Sequence, residues 1–318
     1  MKIVLLESLG VPKEMIDKHK KKLERMGHKF VIYERNDDPF VLQKRVEDAD
    51  AMILVNMPLG KDIVKRASKL KFINVAFTGV DHIPLEEATK RNIVVSNASS
   101  YATEAVAELT ISFMIQLLRH TKENEMNCRL GKAKYEPVGN LLHGKTVGII
   151  GAGKIGMKTA QLCKAFGCEV IMDDYKNIDL DGIRRVDLKT LFQMSDIVSL
   201  HCPLTEKTKG MIGKEQFSWM KKTAYFINTA RGSIVDTNAL VDALQKGEIA
   251  GAATDVFDIE PPLPENHSYL YAPNMIVTPH IGYSSIESME RRAEIVFDNL
   301  YAWLEGNAKN QVIRIEDC

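Results

Sequence analysis

The chain has 318 residues and a formal net charge of zero, with 42 Lys and Arg residues against 42 Asp and Glu residues. This length suits two ordinary domains, and the balanced, scattered charge argues against nucleic-acid or membrane binding. The five cysteines have no paired metal-ligand spacing, and their odd number disfavours a disulfide framework. No apolar run approaches the roughly 18 residues that span a bilayer. We therefore expect a soluble cytoplasmic protein without a resident metal ion.

Short apolar runs alternate with amphipathic stretches through the first hundred residues, which predicts parallel βα units. The predicted strands are Lys2–Leu6, Phe30–Tyr33, Ala51–Val55, Phe72–Phe77 and Ile93–Val95. The predicted helices are Lys13–Met26, Pro39–Asp48, Lys61–Ala67 and Leu85–Thr89. This region contains no glycine-rich phosphate loop.

A long apolar-periodic helix is predicted over Thr103–His120, and the polar, irregular stretch Lys122–Leu142 is predicted to be a loop-rich excursion. A second α/β series begins at Lys145, and a last long helix is predicted over Ser285–Leu304. The strands predicted in the second series are Thr146–Ile150, Glu169–Met172, Ile197–His201, Tyr225–Asn228, Gly251–Val256 and Ile276–Thr278.

A glycine-rich turn joins the first strand of the second series to a helical pattern over Met157–Phe166. In this pattern Gly151 permits the tight turn, Gly153 lets a pyrophosphate approach the backbone, and Gly156 allows close helix–strand packing. The next strand ends at Asp173-Asp174, where a carboxylate can accept hydrogen bonds from ribose hydroxyls. The strand before and the helix after favour a dinucleotide site over a turn that merely packs.

The acidic strand end also favours NAD over NADP, because a carboxylate repels a 2′-phosphate. Lys176 follows closely and could soften that preference, so the strictness for NAD stays open.

Three polar side chains follow predicted strands or lie between them, and together they suit a 2-oxo acid. Arg231 carries a permanent charge and can hold a carboxylate through two parallel hydrogen bonds. Glu260 precedes two prolines, and His280 lies in a Thr-Pro-His loop. A carboxylate close to an imidazole stabilises the charged ring, and an imidazolium can donate a proton to a carbonyl oxygen. Taken singly, each residue also fits a plain structural or solvated role.

At these residues the chain resembles the D-isomer-specific 2-hydroxyacid dehydrogenases, and the resemblance covers essentially its whole length in order. The shared motifs are Thr78-Gly79-Val80-Asp81, Val106-Ala-Glu108, Gly151-x-Gly153-x-x-Gly156, Asp174, His201-Cys-Pro203, Asn228-Thr-Ala-Arg231-Gly232, Asp255-Val-Phe-x-x-Glu260-Pro261 and Pro279-His280-x-Gly282.

The resemblance implies a set of functional residues. Arg231 would bind the substrate carboxylate, His280 would be the acid/base, and Glu260 would orient and tune His280. The implied substrate-binding residues are Asn56, Thr78, Gly79, Arg231 and His280. The implied NAD contacts are Thr78, Thr103, Gly151, Gly153, Lys154, Ile155, Gly156, Asp174, Cys202, Pro203, Thr229, Ala230, Arg231, Asp255, His280 and Gly282.

The resemblance also implies an α/β fold of two Rossmann-like or flavodoxin-like domains with parallel sheets and an active site in the cleft between them. Residues 1–97 with 287–318 would form the substrate-binding domain, and residues 98–286 the NAD-binding Rossmann domain. Relatives are usually homodimers, so a homodimer is expected.

The sequence favours an NAD-dependent dehydrogenase for a small 2-oxo acid such as glyoxylate, hydroxypyruvate or pyruvate, and two alternatives stay open. The first is a D-3-phosphoglycerate dehydrogenase, which is disfavoured because Asn56 stands where such relatives often carry Arg. The second is an NADH-responsive binding protein, since transcriptional corepressors share this scaffold. The chain has no low-complexity docking segment, which argues against that role.

Overall fold

The structure is a computed structural model that describes residues 1–134, 136, 138–174 and 182–312. Lys176, which bears on the choice between NAD and NADP, lies outside the described residues. The chain divides into two compact units. The first unit contains Met1–Ala102 and the described residues from Ser284 onward, and the second contains Thr103–Tyr283.

Parallel βα units build the first unit. Its strands are β1 (Lys2–Leu5), β2 (Lys29–Ile32), β3 (Ala51–Leu54), β4 (Phe72–Val75) and β5 (Val94–Asn97). Its first helices are α1 (Lys13–Arg25), α2 (Pro39–Val46), α3 (Lys61–Arg66) and α4 (Leu85–Lys90). Among the described residues, the strands pair in parallel in the order β2-β1-β3-β4-β5. Strands β3 and β4 are buried along their whole length, which explains the continuous apolar sequence of β3.

The second unit has the same architecture on a larger scale. Its helices are α5 (Thr103–Leu118), α6 (Thr121–Arg129), α7 (Lys154–Ala165), α8 (Leu188–Met194), α9 (Lys214–Ser218) and α10 (Thr237–Gln245). Its strands are β6 (Thr146–Ile150), β7 (Glu169–Asp173), β8 (Arg184–Arg185), β9 (Ile197–Leu200), β10 (Tyr225–Asn228), β11 (Gly251–Thr254) and β12 (Met275–Val277). Within the described ranges these strands form one parallel sheet in the order β12-β11-β10-β9-β6-β7-β8. Short 3₁₀ helices lie at Gly232–Ile234 and Ser268–Tyr271.

Two apolar clusters cover the sheet of the second unit. One contains Phe192, Phe217 and Phe226, and the other contains Phe113 and Met114 of α5. Because the strands contribute side chains to both clusters, both faces of the sheet are covered. A parallel sheet with two covered faces is the arrangement that the alternating strand and helix patterns predict.

The chain returns to the first unit with its last long helix, α11 (Ile286–Leu304). Buried amide side chains attach this helix to the sheet. The Asn74 Nδ2 group on β4 donates to the Val296 carbonyl at 2.7 Å, and Asn299 Nδ2 donates to the Asn97 carbonyl at 3.0 Å. The first sheet is therefore covered in part by the end of the chain.

The prediction of a loop over Lys122–Leu142 is wrong in its first part, because α6 occupies Thr121–Arg129. This helix has no buried residue, so it lacks the apolar periodicity that reveals most helices. A left-handed residue, His120, separates it from α5, and an ion pair between Arg129 and Glu125 one turn apart supports it.

Over the part of the chain that the structure describes, no helix is long and apolar enough to cross a membrane.

Candidate active site

The glycine-rich turn lies where the winding of the second sheet reverses. Strands β6 and β9 are neighbours, while the chain order runs outward from them in opposite directions. Gly151 follows β6 with φ of 102°, and a Cβ there would lie 2.8 Å from the backbone of His201 and Cys202. A Cβ on Gly156 would overlap the Gly151 carbonyl. Both positions therefore require glycine, and ligands of parallel α/β sheets bind in the crevice at such a reversal.

The residues at this crevice fit the pyrophosphate of a dinucleotide. Gly153 is the N-cap of α7 and provides no side-chain cap, and a Cβ added to it would meet nothing within 4 Å. The space beside Gly153 at the N-terminus of the helix is therefore open, with Lys154 and Ile155 in the first turn. Backbone N–H groups and the helix dipole at such an end favour an anion. Thr103, a predicted cofactor contact, has a buried hydroxyl without a hydrogen-bond partner among the described residues.

The acidic end of β7 lies against the glycine-rich turn. Asp174 Oδ2 accepts a hydrogen bond from the Ala152 N–H at 2.6 Å. Burial, with some repulsion from Asp174, raises the pKa of Asp173. Asp174, the carboxylate predicted to meet the ribose, is therefore held beside the glycine-rich turn, which is the position that the dinucleotide motif gives to such a carboxylate.

The two residues that follow β9, His201 and Cys202, have side chains that are uncharged at neutral pH. The pKa of His201 is lowered to about 4 by burial, and its Nε2 lies 2.9 Å from the Ser199 hydroxyl. Burial also raises the pKa of Cys202 to about 12, so its thiol stays protonated at neutral pH. Neither side chain brings charge to the crevice at neutral pH.

Asn228, at the end of β10, holds the loop that carries Arg231. Its Nδ2 donates to the Arg231 carbonyl at 3.0 Å, and its Oδ1 accepts from the Ala230 N–H at 3.0 Å. The Thr229 hydroxyl lies 3.1 Å from that of Thr110 on α5. A Cβ on Gly232 would overlap the Phe257 carbonyl, so the backbone beside the arginine is fixed by close packing.

His280 and Glu260 form a direct pair, with His280 Nδ1 2.8 Å from Glu260 Oε2. The histidine follows β12 in a left-handed conformation with φ of 54°. The Tyr283 ring and the imidazole also pack edge to face, with 5.6 Å between ring centroids. Because the carboxylate engages Nδ1, proton exchange between this ring and a substrate would take place at Nε2.

Asp255 organises the loop that contains His280. Its carboxylate is buried and accepts hydrogen bonds from the Ile281 N–H at 2.8 Å, the Gly282 N–H at 2.7 Å and the Thr278 hydroxyl. Burial raises its pKa, although these donors oppose the rise. The residue was also predicted as a cofactor contact, and that contact stays a prediction.

The structure brings several predicted residues together in the second unit. Strands β10, β11 and β12 are neighbours, so Arg231, Asp255 and His280 follow three adjacent strand ends. The remaining predicted substrate residues belong to the first unit. There Asn56 Oδ1 accepts from Arg35 Nη1 at 2.7 Å, and the Thr78 carbonyl accepts from Asn97 Nδ2 at 2.7 Å.

Two supporting residues were absent from the predicted site. Asn228 fixes the Arg231 loop, and Thr278 binds Asp255. Their signal in the sequence is weak: each is a polar residue at the end of an apolar strand. Only the pairing of β11 with β12 shows that Thr278 and Asp255 meet.

A glycine-rich turn at the sheet reversal and an imidazole–carboxylate pair at nearby strand ends define a dinucleotide-dependent oxidoreductase. The family model described as "D-isomer specific 2-hydroxyacid dehydrogenase, NAD binding domain" matches residues 111–282. The chain is also 38% identical over 300 residues to a glyoxylate reductase from Thermofilum pendens, covering 90% of this chain and 88% of that protein. The chain therefore belongs to the D-isomer specific 2-hydroxyacid dehydrogenase family.

Two further relatives widen the comparison. A D-3-phosphoglycerate dehydrogenase from Methanocaldococcus jannaschii is 36% identical over 281 residues, covering 86% of this chain but 53% of that protein. The crystal structure of a D-lactate dehydrogenase from Aquifex aeolicus, complexed with NAD and lactic acid, aligns with a TM-score of 0.84 at 30% identity over 96% of each chain. The fold, the cofactor NAD and the interconversion of 2-oxo and D-2-hydroxy acids follow from these relationships.

Proposed function

We propose that this NAD-dependent dehydrogenase reduces a small 2-oxo acid, of the size of glyoxylate, hydroxypyruvate or pyruvate, to its D-2-hydroxy acid. The observation that carries the proposal is the 2.8 Å contact between His280 Nδ1 and Glu260 Oε2. His280 follows β12, and Arg231 follows β10, which lies two strands away in the same sheet. A proton donor and a carboxylate-binding cation on one sheet edge suit a 2-oxo acid.

His280 would act as the acid in reduction. With Nδ1 held by Glu260, its Nε2 would donate a proton to the carbonyl oxygen of the substrate, and it would take the proton back in the reverse direction. Glu260 would stabilise the protonated ring, and Asp255 would hold the loop in place through its three hydrogen bonds. NADH, the reduced form of the cofactor, would supply the hydride from its nicotinamide ring when bound.

Arg231 would bind the substrate carboxylate by a bidentate contact. Asn228 supports this role because it fixes the backbone on both sides of Ala230. In the first unit, the backbone of Thr78 and Gly79 would also bind the carboxylate, and Asn56 would face the rest of the substrate. These contacts are proposed from the resemblance of the motifs.

The remaining cofactor contacts are proposed from their place in the second unit. The phosphate-binding turn, the end of β7, the start of α5 and the loops after β9, β10 and β12 would surround NAD. The residues concerned are Thr103, Gly151, Gly153, Lys154, Ile155, Gly156, Asp174, Cys202, Pro203, Thr229, Ala230 and Gly282.

An unphosphorylated substrate is favoured by the charges around Asn56. The nearby cation is Arg35, which contacts Asn56 Oδ1 at 2.7 Å. Arg35 is already paired with Glu7 at 3.1 Å and with Asp37 at 2.9 Å. Two carboxylates compensate this guanidinium, so it is poorly suited to bind a substrate phosphate.

We also propose a cytoplasmic homodimer. Helix α6 has no buried residue, and the apolar side chains of Met126, Leu130, Val138 and Leu141 are all exposed in this part of the second unit. Exposed apolar side chains gathered in one segment suit a surface covered by a second copy. The odd number of cysteines suits a reducing compartment.

The test is a panel of 2-oxo acids with NADH and NADPH, followed by the loss of absorbance of the reduced cofactor. We expect turnover with glyoxylate, hydroxypyruvate or pyruvate at a kcat/KM well above that for 3-phosphohydroxypyruvate. Arg231→Lys keeps the charge but removes the bidentate fork, so it should raise KM more than it lowers kcat. Preferred use of the phosphorylated substrate, or no oxidation of NADH with any member of the panel, would overturn the proposal.

A further inference from the structure

Helix α7 ends in a turn that places two cysteines side by side. Gly167, in the left-handed conformation with φ of 78°, donates to the Lys164 carbonyl at 2.9 Å, and Cys168 donates to the Cys163 carbonyl at 3.0 Å. These two hydrogen bonds define a Schellman motif, in which the side chains at the positions of Cys163 and Cys168 characteristically touch. The turn therefore brings two thiols together across a short loop.

The two thiols lie in different surroundings. Cys163 is fully buried, with its Sγ 3.9 Å from the Met114 sulfur. Cys168 is partly exposed and its thiol donates to the Leu142 carbonyl at 3.4 Å. Reagents in solution therefore have access to Cys168, while Cys163 lies behind it.

The thiols also interact with each other. A hydrogen bond with Cys168, together with burial, raises the pKa of Cys163. The same hydrogen bond lowers the pKa of Cys168, although partial burial opposes this. Ionisation of Cys168 removes its donation to Leu142, and the Cys163 thiol is then the donor to the thiolate. The accessible cysteine is thus the one that ionises first, and the thiolate is the reactive form.

We propose that Cys163 and Cys168 form a peroxide-reactive dithiol site, in which Cys168 is oxidised first and Cys163 then closes an intramolecular disulfide. The combination of an accessible, readily ionised cysteine with an adjacent second thiol is the arrangement of peroxide-sensitive sites. Neither residue is among those assigned to the dehydrogenase reaction, so the site is separate from that chemistry.

The reaction balances in two steps. The Cys168 thiolate attacks one oxygen of a hydroperoxide, an S–O bond forms, the O–O bond breaks, and the second oxygen leaves as water or an alcohol after taking up a proton. The Cys163 sulfur, having lost its proton, then attacks the Cys168 sulfur. An S–S bond forms, the S–O bond breaks, and the oxygen leaves as water. Two thiols lose two electrons in total, and the peroxide gains them.

The test treats the reduced full-length protein with hydrogen peroxide, blocks the remaining thiols with iodoacetamide at successive times, and maps the peptides by mass spectrometry. We expect Cys163 and Cys168 to be lost together in one disulfide-linked species that is lighter by two hydrogen atoms. Their loss should be about tenfold faster than that of the exposed Cys128, which serves as the internal reference.

Three variants separate the roles of the two thiols. Cys163→Ser should leave Cys168 as a sulfenic acid that dimedone traps, while Cys168→Ser should leave Cys163 unreacted. Cys128→Ser should behave as the wild type. NADH binding by each variant confirms that it is folded. Oxidation of Cys168 at the rate of Cys128, or disulfides that link two chains or involve Cys128, would overturn the proposal.

Discussion

Each of the two units has a crevice where the winding of its sheet reverses, and the two crevices differ in what occupies them. In the first unit the winding of the sheet reverses between β1 and β3, and in the second it reverses between β6 and β9. The first crevice is filled by the chain itself: Glu7 follows β1, is 4% exposed, and its Oε1 accepts from the Val55 N–H at 2.6 Å and the Met57 N–H at 3.0 Å. At the second, the position that a side chain on Gly153 would take, at the N-terminus of α7, is open.

A parallel sheet therefore provides an anion-binding edge wherever its winding reverses, and the local sequence decides what occupies it. A buried glutamate supplies its own carboxylate and fastens two strand ends together. Glycine withholds any side chain and leaves the edge for a ligand. Changes at Glu7 should cost stability without affecting NADH affinity. Most changes at the strand ends of the second unit should do the reverse.

The largest effect is expected at His280. Its φ of 54° is tolerated by asparagine, so His280→Asn removes the imidazole without straining the loop. We expect kcat for 2-oxo acid reduction to fall by about 10²–10⁴-fold, because the proton donor is lost. The unfolding midpoint should stay near the wild type. His120→Asn is the matched control, since His120 also has a positive φ of 48°. Near wild-type turnover of His280→Asn would contradict the proposed mechanism.

The next effect is a loss of stability in mild acid, which comes from His201. Its ordinary pKa of 6.5 is lowered to about 4 in the folded protein by burial. As the pH falls from 6.5 to 4, the unfolded chain takes up a proton that the folded chain does not, so stability falls. Below pH 4 both states are protonated and the loss levels off. The full loss is about 3 kcal/mol.

Urea unfolding of the wild type and His201→Gln at several pH values measures this contribution. The variant should lose less stability than the wild type between pH 6.5 and 4, while the two should run parallel above pH 6.5. Equal slopes over the acid range would show that His201 is not responsible. His201 is an exception to the contrast between the two crevices. It lies beside the open crevice of the second unit, yet its protonation changes the free energy of unfolding.

At the filled crevice, Glu7→Gln should lower the free energy of unfolding by about 2 kcal/mol. The amide keeps the shape of the side chain but loses the charge that binds two N–H groups and Arg35. NADH affinity should not change. The control is Glu14→Gln, which removes an exposed carboxylate from the first turn of α1. If Glu7→Gln changed NADH affinity without lowering stability, the stabilising role given to the crevice of the first unit would be wrong.

At the open crevice, Gly153→Ala should leave the fold intact, because φ is −69° and nothing lies within 4 Å of the added Cβ. The methyl group would stand where the pyrophosphate approaches, so the NADH dissociation constant should rise roughly tenfold, or about 1.4 kcal/mol. Gly60→Ala is the counterpart, since Gly60 is the N-cap of α3 with φ of −67°. Fluorescence titration with NADH compares them, and equal affinities would argue against a pyrophosphate at Gly153.

The smallest effect is expected for Glu260→Gln. Loss of the carboxylate weakens the contact that orients the imidazole through Nδ1, so kcat for 2-oxo acid reduction should fall. Glu260 is 47% exposed, so solvent screens the pair and the fall should be about threefold. Glu265→Gln alters an exposed acid in the same loop and should leave kcat unchanged. An unchanged kcat in Glu260→Gln would remove Glu260 from this role.

Much of this arrangement could be predicted from the sequence because its signals are local. The apolar runs of β3 and β6 are short, continuous and followed by helical patterns, so the parallel units could be recognised. The turn from Gly151 to Gly156 depends on residues within one short segment. Close backbone approach confirms that glycine is required at Gly151 and Gly156.

Other features depend on contacts that no local pattern encodes. The hydrogen bonds of Asp255 exist only because β11 pairs with β12, which places Thr278 beside a residue 23 positions earlier. The left-handed conformation of His280 cannot be predicted from the residue type alone, because most histidines adopt other backbone regions even though histidine is enriched in this one. Helix α6 was missed because it buries nothing and so has no apolar stripe.

The return of α11 to the first sheet has a consequence for synthesis on the ribosome. Asn74 donates its hydrogen bond to Val296, 222 positions later in the chain. Nascent chains fold in the order in which they emerge, and every element of the second unit emerges before α11. The second unit can therefore close first, while β4 keeps an uncovered apolar face. A chain that stalls before Ile286 would carry a complete nucleotide-binding half and an unfinished first half, which makes it a natural substrate for chaperones.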